Sequence, residues 1–281
     1  ELSGQAAEPT HLTSETVAYY SGEENKLPFD VEIRTLRTNE PLPPPAFTPP
    51  QAKQEQTVPQ ADRRNYRITD DALGVGGAKT RFQNNMAAIQ TLNEIELEKR
   101  LATAGEQEVL SKYTGWGALP QVFDENNAAW AKEFSELQTL LSPEDYTSAR
   151  ATTLNAHYTS PVVIRAMYQA LENMGFSRGN ILEPACGIGN FFGMLPDRMQ
   201  ESRLFGVELD GVTGRIAKQL YQKSNIAVSG FEETSLPDSF FDVAIGNVPF
   251  GSYKLSEKRY DKYNFLIHDH FFSVYRRGKA V

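Results

Sequence analysis

Residues 181–192 constrain the fold of this chain more than any other stretch of its sequence. A short apolar run that begins at Asn180 is followed by two glycines one residue apart, Gly187 and Gly189, and then by a pattern that predicts a helix to about Met199. Glycine lets a backbone turn sharply and approach a ligand, and the N–H groups that open the following helix can bind polar groups. The pattern therefore predicts a nucleotide-type loop at 183–189 (the glycine loop), although such a turn can also be only a packing solution.

The segments after this loop favour the ligand-binding interpretation. A second short strand is predicted at 203–208, and it ends in Glu208, nineteen residues after Gly189. This spacing is close to the one at which a carboxylate at the tip of the second strand accepts the ribose hydroxyls of a nucleoside. An amphipathic helix and two further strands follow, at 212–223, 226–228 and 241–246. Strands separated by helices at this interval predict an α/β fold with a doubly wound parallel sheet and a ligand at the carboxyl ends of its strands.

Composition limits the classes of function that fit this chain. With 281 residues, of which 40% are hydrophobic, it can bury one full α/β core and a smaller unit. The net charge of −8 argues against a general polyanion-binding protein, so any nucleic-acid contact must be local or come from a partner. One cysteine, Cys186, and no apolar run of membrane-spanning length predict a cytoplasmic protein without membrane contact or disulfides. We expect Cys186 to be a small packed residue and not a nucleophile.

The chain is predicted to have three parts. Residues 1–60 read as a disordered, Pro-rich linker, because seven of the sixteen prolines lie between Pro41 and Pro59 and such a run cannot form a packed core. Residues 61–155 have a helical pattern, and residues 156–281 carry the predicted sheet. The sequence starts without an initiator Met and stops within a strand-like run, so we expect it to be part of a longer protein.

Local signals predict several helices before the sheet. Thr103 and Glu106 have the spacing of a capping box, and Ser142-Pro143 is typical of a helix start. Ser160-Pro161 predicts the start of a further helix that leads directly into the glycine loop. The hydroxyl group of Thr159 would then lie within reach of a ligand bound at that loop. One apolar stripe at helical spacing is formed by Met86, Ile89, Leu92 and Ile95.

The order of five motifs resembles that of the γ-type N6-adenine DNA methyltransferases. These motifs are Thr159-Ser160-Pro161, Glu183-Pro184-Ala185-Cys186-Gly187-Ile188-Gly189-Asn190-Phe191, Glu208, Phe231 and Asn247-Val248-Pro249-Phe250. Two further segments make the chain resemble, more narrowly, the methylase portion of the large methylase/helicase proteins of bacterial conjugative elements and phages. They are Gly76-Gly77-Ala78-Lys79-Thr80 and Tyr113-Thr114-Gly115-Trp116-Gly117. The resemblance covers roughly residues 65–281, and the tetrapeptide 247–250 is its most specific part.

The resemblance implies a Rossmann-like S-adenosylmethionine-dependent methyltransferase fold, of which this sequence holds only the first strands. It also implies S-adenosylmethionine as the cofactor. The cofactor site that it implies consists of Thr159, Glu183, Pro184, Ala185, Gly187, Gly189, Asn190, Phe191, Glu208, Phe231 and Glu232.

The resemblance further implies methyl transfer to adenine N6 in DNA. This amine is a weak nucleophile because its lone pair is delocalised into the ring. The side-chain oxygen of Asn247 and the carbonyl of Val248 would accept hydrogen bonds from its N–H groups, and Pro249 would stiffen the loop. Phe250 would stack on a base that has been flipped out of the duplex, which offsets part of the unstacking cost.

Two positions depart from the family pattern. Val248 replaces the usual first proline of the tetrapeptide, which keeps the carbonyl but relaxes the backbone angle φ. Gly230 stands where an acid commonly binds the adenine amino group of the cofactor, and we expect Glu232 to substitute for that acid from the other side of Phe231.

A basic segment with interleaved tyrosines follows the tetrapeptide directly. Its cations are Lys254, Lys258, Arg259 and Lys262. A solvated face is the common interpretation of such a run, but its position also favours contact with a DNA strand. The expected partners are therefore duplex DNA with a flipped adenine and, by the resemblance, a helicase region of the same longer chain. His268 and His270 are read as structural, and no metal site is expected.

Three functions remain open on the sequence alone. The first is a DNA adenine N6-methyltransferase module of a mobile element. The second is a methyltransferase that acts on a glutamine amide in a protein, because the same tetrapeptide serves that amide. The third is a non-catalytic cofactor-binding or DNA-binding scaffold for a helicase. The Pro-rich and helical regions that precede the predicted sheet favour DNA over protein glutamine as the substrate. The presence of Asn247 and Phe250 favours an enzyme over a scaffold.

Overall fold

A computed structural model describes residues 62–69, 71, 73–153, 159–234, 236, 239–249, 254 and 261–275. All of these residues belong to one of the two units of the chain, Pro41–Val281. The predicted Pro-rich linker lies outside the described residues.

The described residues form one sheet of four parallel strands. They are β1 (Asn180–Glu183), β2 (Arg203–Glu208), β3 (Asn225–Val228) and β4 (Val243–Ala244), and they stand in the order β3-β2-β1-β4. All four residues of β1 are buried, as expected for a parallel strand that is covered on both faces. The predicted α/β fold is confirmed: this is a Rossmann-like sheet in which the strand order reverses between β1 and β4.

Eight α-helices lie in the described part of the chain. Four of them precede the helix that leads into the sheet: α1 (Ala78–Leu97), α2 (Ala104–Leu110), α3 (Ala131–Leu140) and α4 (Pro143–Thr152). The others are α5 (Pro161–Asn173), α6 (Asn190–Gly193), α7 (Gly211–Leu220) and α8 (Ile267–Tyr275). Short 3-10 helices occur at Pro120–Phe123, Ala128–Trp130, Asp197–Met199, Phe231–Glu233 and Asp261–Tyr263.

The predicted helix starts agree with the structure. In the capping box of α2, the Thr103 hydroxyl accepts a hydrogen bond from the Glu106 N–H, and the Glu106 carboxylate accepts one from the Thr103 N–H. Ser142 caps α4 through a single bond, in which its hydroxyl accepts from the Asp145 N–H. Ser160 is the N-cap residue of α5 with Pro161 in the first turn, but its side chain makes no capping hydrogen bond.

Two predicted elements are shorter than the sequence pattern suggested. The helix expected to run to Met199 ends at Gly193, because Pro196 has no N–H group and disfavours helical geometry in the residue before it. The fourth strand was expected over 241–246, but only Val243 and Ala244 lie in it. The chain turns away at Gly246, whose φ of +156° is easily adopted only by glycine.

The helical part and the sheet share one hydrophobic cluster. The predicted stripe of α1 is buried, with Ile89, Leu92 and Ile95 at most 1% exposed, and the same cluster contains Ile181 of β1 and Leu204 of β2. Polar contacts reinforce this packing: the Arg215 guanidinium on α7 forms ion pairs with Glu96 and Asp145, at 2.9 and 2.8 Å.

A buried asparagine in α1 holds the conspicuous Thr114-Gly115-Trp116 turn. The Asn85 amide donates to the Gly115 carbonyl at 2.6 Å, and its oxygen accepts from the Thr114 N–H at 2.8 Å. Asn85 is fully buried, and so is the Trp116 ring, which packs edge-on against Phe123 at 5.5 Å. This motif is therefore part of the core of the helical region.

We predict that Asn85→Ala lowers the free energy of unfolding by about 2–3 kcal/mol, because it leaves a buried backbone carbonyl and a backbone N–H without their partners. Urea unfolding followed by circular dichroism measures the change. The control is Asn93→Ala on the exposed side of the same helix, which should change stability by less than about 0.5 kcal/mol. Equal effects of the two substitutions would contradict the assigned role of Asn85.

Candidate functional site

The glycine loop lies against Gly246, the residue before the predicted catalytic tetrapeptide, where the strand order reverses. A Cβ atom at Gly246 would lie 3.2 Å from Cγ of Glu183 and 3.5 Å from Cδ of Pro184. The backbone just before this turn is fixed, since the Ile245 N–H donates to the Leu182 carbonyl at 2.9 Å. The residue after the turn, Asn247, is exposed. Open α/β sheets bind ligands at this reversal point, so the site has the expected place in the fold.

Both glycines of the loop adopt left-handed geometry, with φ of +56° at Gly187 and +84° at Gly189. The loop is closed by a hydrogen bond from the Gly189 N–H to the Cys186 carbonyl at 2.8 Å and is tied to β2 through the Cys186 N–H and the Val207 carbonyl. Gly189 is buried, and a Cβ atom there would overlap the ring of Tyr221. Close packing against Tyr221 therefore explains why a glycine stands at position 189. Gly187, in contrast, is half-exposed.

The acid at the end of β2 is held by backbone groups. The Glu208 carboxylate accepts hydrogen bonds from the Gly187 N–H and the Asp210 N–H, both at 2.8 Å. Removal from water raises the pKa of Glu208 to about 7, although these two N–H groups act in the opposite direction. The structure thus joins Glu208 directly to the glycine loop.

A second carboxyl group lies deeper in the same site. Glu183 at the end of β1 is 3% exposed, and its Oε2 has no hydrogen-bond partner within the described part of the chain. Burial, followed by the nearby Glu208 charge, raises the pKa of Glu183 well above its ordinary value. The site therefore has an unsatisfied acidic group in its wall, beside the turn that leads to Asn247.

Several residues of the implied cofactor site lie in the core. Pro184 and Asn190 are buried, and the Phe191 ring is 2% exposed and packs on Tyr168, whose hydroxyl donates to the Phe191 carbonyl. Phe231 is 5% exposed, and one face of its ring stacks on Phe271 at 4.5 Å. Ala185 and Thr159 are half-buried. That these residues bind the cofactor stays a prediction.

Glu232 occupies the space that an acid at position 230 would need. A Cβ atom at Gly230 would lie 2.6 Å from Oε1 of Glu232, so the Glu232 carboxylate folds back over this glycine. The structure brings the two positions together although they lie on opposite sides of Phe231 in the sequence. That Glu232 replaces the missing acid in cofactor binding stays a prediction.

Sequence reasoning did not single out Leu209. This side chain directly follows Glu208 and is 75% exposed, which is unusual for a large aliphatic group beside a strand end. An apolar residue placed immediately after the acid at the tip of a strand is the signal that could have identified it.

The predicted catalytic and DNA-binding residues are described only in part. Val248 and Pro249 are half-buried, and Val248 packs on an apolar cluster that contains Phe231. The remaining predicted residues Phe250, Lys258 and Arg259 lie outside the described residues.

The two described cations of the basic segment are held by neighbouring side chains. Lys254 donates to the Asn264 side chain, and the Lys262 ammonium lies 4.7 Å from the Tyr263 ring centre.

The Cys186 thiol and His270 are both buried. Burial raises the pKa of the Cys186 thiol well above its ordinary value, which keeps it protonated and unreactive. His270 is 2% exposed in α8, and within the described ranges no three His, Cys, Asp or Glu side chains are grouped as metal ligands. None of the helices in the described ranges is both long and apolar enough to cross a membrane.

Sequence comparison finds similarity to two viral proteins. The chain is 25% identical over 175 residues to the defense against restriction protein B of Escherichia phage P1, a match that covers 62% of this chain. It is 39% identical over 80 residues to the type II methyltransferase M.CvrRI of Paramecium bursaria Chlorella virus XZ-6E, which covers 28% of this chain. The matched regions are 6% and 21% of the lengths of these relatives. No family model matches the chain.

Among the solved structures that structure comparison finds are two distant neighbours. One is a TehB-like SAM-dependent methyltransferase from Corynebacterium glutamicum, with 20% identity, a TM-score of 0.23 and coverage of 31% of this chain and 56% of the neighbour. The other is a putative S-adenosyl-L-methionine-dependent methyltransferase from Methanococcus maripaludis, with 15% identity, a TM-score of 0.30 and coverage of 53% and 57%.

We predict a pH effect on stability from Glu208. Its pKa is higher in the folded than in the unfolded chain, so its protonation favours folding below pH about 4.5, and this contribution is lost as the pH rises through about 7. Because Glu208 is only half-buried by exposed area, we expect a loss of about 1–2 kcal/mol across this window. The Glu208→Gln variant should lack that part of the slope when urea unfolding is measured at pH 5, 6, 7 and 8. Parallel pH profiles of the two proteins would show that Glu208 does not titrate in this way.

Proposed function

We propose that this chain carries an S-adenosylmethionine-dependent methyltransferase module that methylates adenine N6 in DNA. The observation that carries the proposal is the contact of Gly246 with Glu183 and Pro184, which joins the Asn247 turn to the glycine loop at the reversal point of the sheet. The similarity to a type II methyltransferase and to a phage restriction-defence protein supports DNA as the substrate.

The side chains at the site suit this cofactor. The acids Glu183, Glu208 and Glu232 are acceptors for hydroxyl, amino and ammonium groups, and Oε2 of Glu183 is a buried acceptor with no partner among the described residues. We assign Glu208 to the ribose hydroxyls, Leu209 to a face of the adenine, Glu232 to the adenine amino group and Glu183 to the methionine ammonium group. When bound, S-adenosylmethionine supplies an electrophilic methyl group.

The residues after β4 would prepare the amine. Asn247 is exposed and presents a side-chain oxygen, and Val248 contributes a backbone carbonyl. Two acceptors that hold the N–H groups of adenine N6 turn its lone pair toward the methyl group. The chain then needs no strong base, because the amine becomes acidic as it is alkylated and can lose its proton to water. Rate enhancement would come mainly from positioning.

The test is transfer of a labelled methyl group to unmethylated plasmid DNA, followed by nucleoside analysis. Because Asn247 would act on the amine and not on the cofactor, Asn247→Ala should lower the transfer rate by about 10²-fold or more and leave the Kd for S-adenosylhomocysteine within about twofold. Asn173→Ala at the exposed end of α5 is the matched control and should retain full activity.

Three results would change the proposal. Activity that survives Asn247→Ala would contradict the role of this side chain. Cofactor binding without a DNA product would favour a protein glutamine amide or a scaffold role, and a methylation screen of cell extract would separate these two. Failure of the wild-type chain to bind S-adenosylmethionine or S-adenosylhomocysteine would contradict the whole proposal.

A second prediction concerns Glu232. Glu232→Gln should weaken binding of S-adenosylhomocysteine about tenfold in isothermal titration calorimetry, because it removes a charged hydrogen-bond acceptor. Adding Gly230→Asp to this variant should restore most of the affinity, because the flexible end of the side chain at position 232 can move aside and leave the new carboxylate the space that Glu232 now fills. The neighbouring exposed acid provides the control, Glu233→Gln, which should bind normally. Equal affinities of both single variants would refute the assignment.

A further inference from the structure

An extended segment at the start of the described chain contacts the ends of two helices of the Rossmann-like part. This segment, residues 64–68, is called the clasp. Asn65 forms an antiparallel bridge with Tyr221, and the Tyr66 N–H donates to the Leu220 carbonyl at 2.8 Å. At its other end, the Ile68 N–H donates to the Gly193 carbonyl at 2.9 Å. The clasp therefore connects the end of α7 with the end of α6.

Tyr221 lies between the clasp and the glycine loop. It is 1% exposed, and its ring fills the space beside Gly189 that a side chain there would need. Its hydroxyl oxygen and the Ile68 Cδ1 lie 2.6 and 2.5 Å from the place that a Cβ atom of Gly193 would take. The ring also packs edge-on against Phe192 at 5.6 Å. Gly189 and Gly193, at the two ends of α6, thus both pack against the Tyr221 side chain. Ile68 packs against Gly193 as well.

The geometry of α6 cannot come from the helix alone. It has four residues, fewer than a helix needs to be stable by itself, and it follows directly on Gly189. Its C-terminal side is held by the clasp, where the Arg67 guanidinium also donates to the Leu195 carbonyl at 2.8 Å. The position of the N–H groups of the glycine loop therefore depends on the contacts that the clasp and Tyr221 make with α6.

We infer that Tyr221 and Ile68 are positioning residues for the proposed cofactor: they act through Gly189 and Gly193 and do not touch the ligand. The inference rests on the proposed function for the identity of the ligand. This inference means that the cofactor affinity of the Rossmann-like part depends on a segment that precedes α1 in the sequence.

Substitution at Ile68 in the full chain tests this inference. Ile68→Ala should weaken binding of S-adenosylhomocysteine about tenfold at a temperature at which the variant is fully folded. In transfer assays it should raise the KM for S-adenosylmethionine and leave kcat nearly unchanged, since the clasp makes no described contact with the Asn247 turn. Tyr221→Leu should act in the same direction, and Tyr221→Phe, which keeps the ring, should bind almost normally.

The control separates positioning from general stability. Ile89→Val removes a methylene group from the core of α1 and should lower Tm without a change in cofactor affinity. Hydrogen exchange provides a readout that needs no ligand: amides 187–193 should exchange faster in Ile68→Ala than in Ile89→Val. Equal cofactor affinity and equal exchange in these two variants would overturn the inference. If the wild-type chain binds no cofactor, the proposed function fails, and the exchange rates alone decide whether the clasp positions the loop.

Discussion

The removal of the Glu183 carboxyl group from water is the constraint on which the site depends. β1 is an inner strand of the described sheet, so its last residue is enclosed by the loops that follow both neighbouring strands. A Cβ atom at Gly246 would lie 3.2 Å from the Glu183 Cγ, and the nearby Glu208 charge also acts on the Glu183 carboxyl group. A buried acceptor without a partner costs free energy. A ligand with a cationic donor would offset this cost on binding, because it would supply the missing hydrogen bond. The proposed ammonium group of S-adenosylmethionine has this property.

Much of the fold could be predicted because its signals are local. The strand ends at Glu183 and Glu208, the capping box at Thr103 and the stripe around Ile89 depend on residues close together in the sequence. The length of α6 was overestimated because one proline decided it against an otherwise helical pattern. Element type was thus better specified than element length.

The site was less predictable because its roles are set by tertiary contacts. Gly189 satisfies a ligand-loop pattern, yet its hydrogen faces the ring of Tyr221, a residue thirty-two positions later. The cofactor role of Phe231 stays a prediction, and its stacking on Phe271 involves a segment whose packing no local pattern encodes. Leu209 differs, because its place directly after Glu208 is visible in the sequence, whereas its 75% exposure is known only from the structure. A motif predicts which loop would bind the ligand. The packing against that loop then decides which of its side chains can face the ligand.

The single cysteine of the chain lies inside this arrangement. Its Sγ atom is 2.9 Å from the position that a Cβ atom of Gly206 would take, so the thiol fills the gap between the glycine loop and β2. A thiol reagent can reach it only in molecules whose loop has moved away from the sheet. The native chain therefore contains its own reporter: the rate of labelling at Cys186 measures how often this site opens, without any engineered probe.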